Sequence, residues 1–150
     1  MLPPLPDVAV QLGASATDWR RAVALAADGL TRAGAAAPEY ALAMVQMIEQ
    51  HGPYVVIAPG LALAHARSGP DVLADGLSVV TLTTPVSFGH PYNDPVRVVI
   101  GLAVASGGHL SFVSSLANVF NDSDAVDRIA AATSADEVRA ILGASAAVPA

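Results

Sequence analysis

The chain is 150 residues long, 53% hydrophobic and only 13% charged, which suits one domain able to bury about two-thirds of its unfolded surface. Seven basic against thirteen acidic residues give a net charge of -6, the wrong balance for a nucleic-acid partner, and every basic residue is a scattered arginine. Cysteine is absent, which excludes disulfides, thiolate catalysis and cysteine-held zinc.

The start, Met1-Leu2-Pro3-Pro4-Leu5-Pro6-Asp7, carries three prolines and no basic region, so it does not read as a secretory signal. Residues 1–14 are expected to be loosely ordered, as is the small-residue tail 143–150. No uncharged apolar run approaches the roughly 18–20 residues of a membrane span, so no membrane insertion and a cytoplasmic location are expected. The whole of 1–150 reads as a single domain.

A first helix, capped by Ser15 or Thr17, is expected to run to about Arg32, because Trp19, Ala22, Val23, Ala26 and Leu30 share one face. Gly34 stops it. Pro38 then sits in the first turn of a second helix, with the stripe Tyr40, Met44, Met47 and Ile48, and Gly52 ends that one. Three apolar stretches lack a helical period: 54–63 (broken at Pro59-Gly60), 77–83 and 96–105. Rich in β-branched residues and bounded by turn formers, they read as strands, the last covered on both faces. From Leu110 the period is helical again, through Val113, Leu116, Ala117 and Phe120. A short helix over 125–132 follows, and Ser134-Ala135-Asp136-Glu137 forms a capping box for a last helix ending near Leu142. The implied fold class is α/β, a single-domain sandwich with a mixed central β-sheet flanked by helices.

Chemistry concentrates on the histidines. His65 closes an apolar run amid small residues that leave its ring accessible, and neutral imidazole, with a pKa of about 6.5, is a competent nucleophile toward phosphorus. His109 closes the run 96–106 after a short glycine turn, where helix N–H donors are expected to begin. It is the candidate for stabilising a phosphoryl group, whose transfer depends on positioning and charge compensation. Arg67 is the nearest local cation to His65 and a candidate phosphate contact. Asp94, in the turn-rich loop 85–96, reads first as an Asx-type turn former; orienting an imidazole by accepting its other N–H is its second reading. His90, between Gly89 and Pro91, reads as a surface residue, and His51 as the end of the second helix. His65, His90 and His109 lack any metal-ligand spacing, so no metal is expected. No phosphate-binding Gly-x4-Gly-Lys-Ser/Thr loop and no Gly-x-Ser-x-Gly elbow occurs.

Three segments together resemble a known family. They are Gly52-Pro53-Tyr54-Val55-Val56-Ile57-Ala58-Pro59-Gly60-Leu61-Ala62-Leu63-Ala64-His65-Ala66-Arg67; Phe88-Gly89-His90-Pro91 with Asn93-Asp94-Pro95-Val96; and His109-Leu110. With Thr133-Ser134-Ala135-Asp136-Glu137-Val138 at the last helix, they are similar to the enzyme IIA domains of the bacterial phosphoenolpyruvate-dependent sugar phosphotransferase system. The class is mannitol/fructose, and the likeness is greatest to the ascorbate type. The resemblance spans about residues 18–142 and implies the same α/β sandwich. It also implies a relay in which the phosphocarrier HPr donates to His65, with His109 as the second active-site histidine. His65 then passes the group to a cysteine of a cognate enzyme IIB, and through that complex the chain meets the membrane-bound enzyme IIC. No cofactor is implied. A regulatory module of the same fold, phosphorylated as a signal, is the alternative. Two departures stand out. The family's usual Pro-His is Ala64-His65 here, and the arginine that the mannitol type carries in the preceding helix is missing from residues 46–50, leaving Arg67 as its substitute.

Overall fold

The computed structural model describes residues 2–146. A single 3₁₀ turn at Asp7–Ala9 leads into β1 (Val10–Ala14), followed by α1 (Trp19–Arg32) and α2 (Tyr40–His51). The strands β2 (Val56–Ala58), β3 (Leu61–Ala64), β4 (Gly76–Val86) and β5 (Val96–Ala103) come next. The chain then closes with α3 (His109–Phe120), α4 (Ala125–Ala130) and α5 (Ala135–Leu142). The five strands lie in the order β1-β4-β5-β3-β2. The pairs β1/β4 and β3/β5 are parallel, while β4/β5 and β2/β3 are antiparallel. The sheet is therefore mixed, as the sequence implies.

Both faces of the central strands are covered. Leu61 and Leu63 of β3, and Val98, Ile100 and Leu102 of β5, pack with Leu116, Ile129 and Val138 of the C-terminal helices. Ala62 and Ala64, with Val99 and Ala103, face Val23, Ala26 and Leu30 of α1 and Met44 of α2. The period-2 alternation of strands thus feeds two separate apolar clusters. On the α1 side the sheet is lined by small residues, and α1 sits close. A Cβ at Gly101 would lie 2.3 Å from Ser78 Oγ and 3.1 Å from the Ala26 carbonyl oxygen. The buried Ser78 hydroxyl uses that closeness to donate to Ala26 O at 2.7 Å.

Several expectations are corrected. Residues 2–14 are built into the fold rather than loosely ordered: Leu5 is fully buried, and β1 pairs with β4. The Leu5 N–H donates to Ser145 O (2.8 Å), and its carbonyl accepts from Arg139 Nη1 (3.0 Å). The prolines precede the strand instead of interrupting it; Val10 and Leu12 lie against the cluster of the C-terminal helices, and Ala14, past a register shift, lies in the other cluster. Where the ladder shifts between Gln11 and Ala14, Thr81 Oγ1 accepts from the Gly13 N–H and Thr83 Oγ1 donates to its carbonyl, each at 2.9 Å. At the other end Ala144 packs against the second cluster while Gly143, Ser145 and Ala146 are exposed, and 147–150 lie outside the described residues. The cap of α1 is Asp18, whose carboxylate accepts from the Arg21 N–H at 2.9 Å, not Ser15 or Thr17. Pro38 lies in the turn before α2, which begins at Tyr40. At α5, Ser134 accepts from the Glu137 N–H as a capping residue should, but the Glu137 carboxylate accepts from the Thr133 hydroxyl (2.8 Å).

Candidate functional site

Because β3 and β5 are parallel, their C-terminal ends lie at one edge of the sheet, and the residues that follow them meet there. His65 follows β3 directly, and His109 opens α3 after a five-residue connection from the end of β5. Their rings stand 5.8 Å apart between centroids. Parallel strand direction thus brings two sequence-distant histidines to the same edge of the sheet. Around them lies a cavity of about 370 Å³, lined by His65, His109, Arg67, Ser68, Ser106 and Met47 among others.

The half-buried His65 is held on three sides. Its Nδ1 lies 2.8 Å from the carbonyl oxygen of Leu63. A carbonyl can only accept, so Nδ1 carries the proton and Nε2 keeps a free lone pair. The Tyr54 ring meets the imidazole edge-on at 5.4 Å, and the Tyr54 hydroxyl donates to the His65 carbonyl at 2.9 Å. Tyr40, the first residue of α2, is buried, and its hydroxyl accepts from the Ala66 N–H at 3.0 Å and reaches Leu102 O at 3.0 Å. That single oxygen ties the ends of β3 and β5 together beneath the histidine.

Burial holds the His65 imidazole below its ordinary pKa, against the opposing hydrogen bond to Leu63, and the nearby His109 ring adds to the lowering. The ring is therefore neutral at physiological pH, oriented, and nucleophilic at Nε2. His109 is exposed at the first position of α3, whose cap residue Gly108 provides no side-chain hydrogen bond. The first-turn N–H groups beside it have no acceptor in their own helix, a geometry that favours anions. Arg67 is exposed on the cavity wall, and among the described residues its guanidinium makes no ion pair. The three groups can together receive a nucleophile's partner and a tetrahedral anion.

The structure separates Asp94 from this site. Its carboxylate accepts from the N–H groups of Phe88 (3.0 Å), Gly89 (2.7 Å) and His90 (3.0 Å) and from the Ser87 hydroxyl (2.8 Å). Burial, which would raise its pKa, is outweighed by these bonds, so the carboxyl is held below the usual range. Asp94 therefore shapes its own loop, in line with its first reading as a turn former, and its second reading is corrected: the Leu63 carbonyl, not Asp94, holds His65. His90 is also a loop residue, half-buried, its Nδ1 accepting from the Tyr92 and Asn93 N–H groups. His51 ends α2 as expected.

Sequence reasoning passed over Tyr40, Tyr54 and Asp75. Tyr54 lies inside the 52–67 run and Tyr40 on a predicted helix stripe, yet their hydroxyl partners are distant in sequence or in backbone atoms that no pattern marks. Asp75 is a lone acid before Gly76, and only the strand pairing brings it to the site edge. Among the described residues no group of three His, Cys, Asp or Glu side chains is placed to hold a metal. No helix among them is long and apolar enough to cross a membrane.

The α/β sandwich thus sets an oriented imidazole beside a second imidazole at the wall of an open cavity. Residues 4–145 match the family described as "Phosphoenolpyruvate-dependent sugar phosphotransferase system, EIIA 2", and the chain belongs to that family. It is thus an EIIA component of a sugar-uptake phosphotransferase system. It is 39% identical over 131 residues to the ascorbate-specific EIIA component of Escherichia coli, covering 86% of this chain and 85% of that one. Among solved structures it is similar to enzyme IIA mannitol of Escherichia coli in complex with phosphorylated enzyme IIB mannitol, with TM-score 0.80 and 28% identity, covering 91% of this chain and 94% of that one. It is also similar to the nitrogen regulatory protein IIA-Ntr of Neisseria meningitidis, with TM-score 0.78 and 27% identity, covering 92% and 95%.

Proposed function

We propose that His65 is the phosphoryl carrier of this EIIA component, receiving the group from phosphohistidine on HPr and passing it to a cysteine of an enzyme IIB. The observation that carries the reading is the Nδ1–H bond to Leu63 O, which leaves Nε2 as the free nucleophile beside a second imidazole. In the first step the Nε2 lone pair forms the N–P bond as the donor's N–P bond breaks, and the donor imidazole keeps the electron pair. The Nδ1 proton stays on His65, and the Leu63 carbonyl stabilises the positive charge the ring acquires. His109, Arg67 and the first turn of α3 compensate the charge on the equatorial oxygens. In the second step the cysteine thiolate attacks phosphorus, the N–P bond breaks, and His65 leaves as neutral imidazole. Its depressed basicity suits it to leave in that form.

The similarity to ascorbate-specific relatives supports uptake of an ascorbate-like carbohydrate, in the cytoplasm, with IIB linking the chain to membrane-bound IIC. Incubation with enzyme I, HPr and phosphoenolpyruvate is expected to give acid-labile label on wild type and none on His65→Ala. Undiminished labelling of that variant sinks the assignment. A regulatory role is the second reading, favoured by the likeness to the nitrogen regulatory protein. Offering the labelled protein to a panel of IIB domains separates the two: rapid discharge supports transport, and a phosphoryl group that no IIB removes supports signalling.

A further inference from the structure

The connection between β5 and α3 decides where His109 stands, and it is short of restraints of its own. It consists of Val104, Ala105, Ser106, Gly107 and Gly108, ending in two residues without side chains. What fixes it comes from a different part of the chain. Because β4 runs antiparallel to β5, with Gly76 opposite Ala103, the residue before β4 lies at the edge where β5 ends. That residue is Asp75. Its Oδ1 accepts from the N–H groups of Ala105 (2.8 Å) and Ser106 (2.9 Å), and its Oδ2 accepts from the Ser106 hydroxyl (2.7 Å). The Ser106 oxygen in turn accepts from the Gly108 N–H at 3.2 Å, one residue before His109.

Asp75 is itself anchored. The N–H groups of Leu73 and Ala74 both donate to Ala35 O, at 2.8 and 3.2 Å, and the Asp71 carbonyl accepts from the Ala37 N–H at 2.8 Å. The segment before Asp75 is thus hydrogen-bonded to the α1–α2 connection, and Asp75 and Ser106 carry the link on to the start of α3.

We infer that Asp75 is a positioning residue for the transfer reaction, holding the 104–108 connection so that the His109 ring faces His65. The inference rests on the phosphocarrier reading for its role in catalysis but not for its geometry. Burial alone would raise the Asp75 pKa, but the hydrogen bonds from Ser106 and Ala105 bring it below the ordinary value, so the latch is charged at neutral pH.

The test is imidazole NMR on the unphosphorylated protein, paired with phosphoryl-transfer rates from phospho-HPr, for wild type, Asp75→Ala, Asp75→Asn, His109→Gln and the Asp75→Ala/His109→Gln double variant. Wild type is expected to show a ring-proton contact between His65 and His109 that Asp75→Ala loses. The His65 titration midpoint should rise in Asp75→Ala toward its value in His109→Gln, and the double variant should add nothing to His109→Gln. Transfer to Asp75→Ala should slow by about tenfold to a hundredfold, the range for a displaced catalytic group. Asp75→Asn, which keeps an acceptor for the two N–H groups, should recover part of the loss. Should Asp75→Ala not fold, Ser106→Ala cuts the link to Gly108 alone and should move both readouts in the same direction by less. An unchanged ring contact and midpoint in Asp75→Ala, or in Ser106→Ala should it stand in, overturns the inference, as do additive losses in the double variant. A wild type that takes no phosphoryl group overturns the carrier reading instead, while the ring contact still decides the role of Asp75.

Discussion

At the scale of the residue, His65 is defined by what its environment withholds. Burial takes water from the ring, and Leu63 O takes one of its two nitrogens, so a single nucleophilic atom remains. The lowered basicity has a consequence for stability. Its pKa falls below the ordinary imidazole value of 6.5 only in the folded state, so between those two values the unfolded chain binds the extra proton. The stability linked to His65 is therefore complete above the unfolded value and is lost as pH falls toward the folded one. Urea denaturation of wild type and His65→Gln, compared at about pH 7.5 and about pH 5.5, should show wild type losing more stability on acidification. Equal losses would mean that the ring is not protected from protonation in the fold.

At the scale of the element, the seating of α1 on the sheet depends on missing side chains. Gly101 on β5 and Gly29 on α1 both crowd Ser78, and a Cβ at Gly101 would force the Ser78 hydroxyl off the Ala26 carbonyl. Gly101→Ala is expected to cost about 1–3 kcal/mol, the usual range for overpacking a tight core, read from the midpoint of chemical denaturation. Gly34→Ala has space around it and tests instead the strain of its φ of 79°, so the two glycines separate crowding from conformation. Elements with a strong pattern are legible in the sequence: α1 through its Val23, Ala26, Leu30 stripe, and β5 through an apolar run broken only by Arg97 and Gly101. The strand β1 is not, because it follows a proline-rich stretch and its alternation is cut short by the register shift between Gln11 and Ala14. His65 and His109 are legible as a pair because both close apolar runs. For Asp94 the turn-forming reading holds, while the second one, orienting an imidazole, fails because nearness to histidines in sequence has no bearing on which N–H groups reach a carboxylate in space. The hold on His65 by a backbone carbonyl two residues away carries no side-chain signature at all.

At the scale of the molecule, all three layers meet at the cavity. The sheet contributes His65, the α1–α2 layer contributes Tyr40 and Met47, and the C-terminal layer contributes His109. The two ends of the chain also meet: Leu5 is buried in the cluster beneath α5, and Arg139 of α5 joins the carbonyl of Leu5 and the carboxylate of Asp7. Leu5→Ala should cost about 2–5 kcal/mol, as buried leucine truncations do. A two-state denaturation curve that stays within 0.5 kcal/mol of wild type, roughly the additive error of such measurements, would show that the N-terminal segment is not part of the cooperative unit.

The bond from Nδ1 to the Leu63 carbonyl also determines which covalent isomer a phosphorylated His65 must be. With Nδ1 blocked by its own proton, phosphorylation yields the tele isomer, bearing the group on the nitrogen remote from the backbone. Isomer-selective antibodies and heteronuclear NMR of the labelled protein are expected to report that species alone. A mixture, or the pros isomer, would mean that the ring turns over before it reacts. With the tele isomer alone, a backbone contact of 2.8 Å acts as a regiochemical filter, stamping one product on the chain for any downstream reader to recognise.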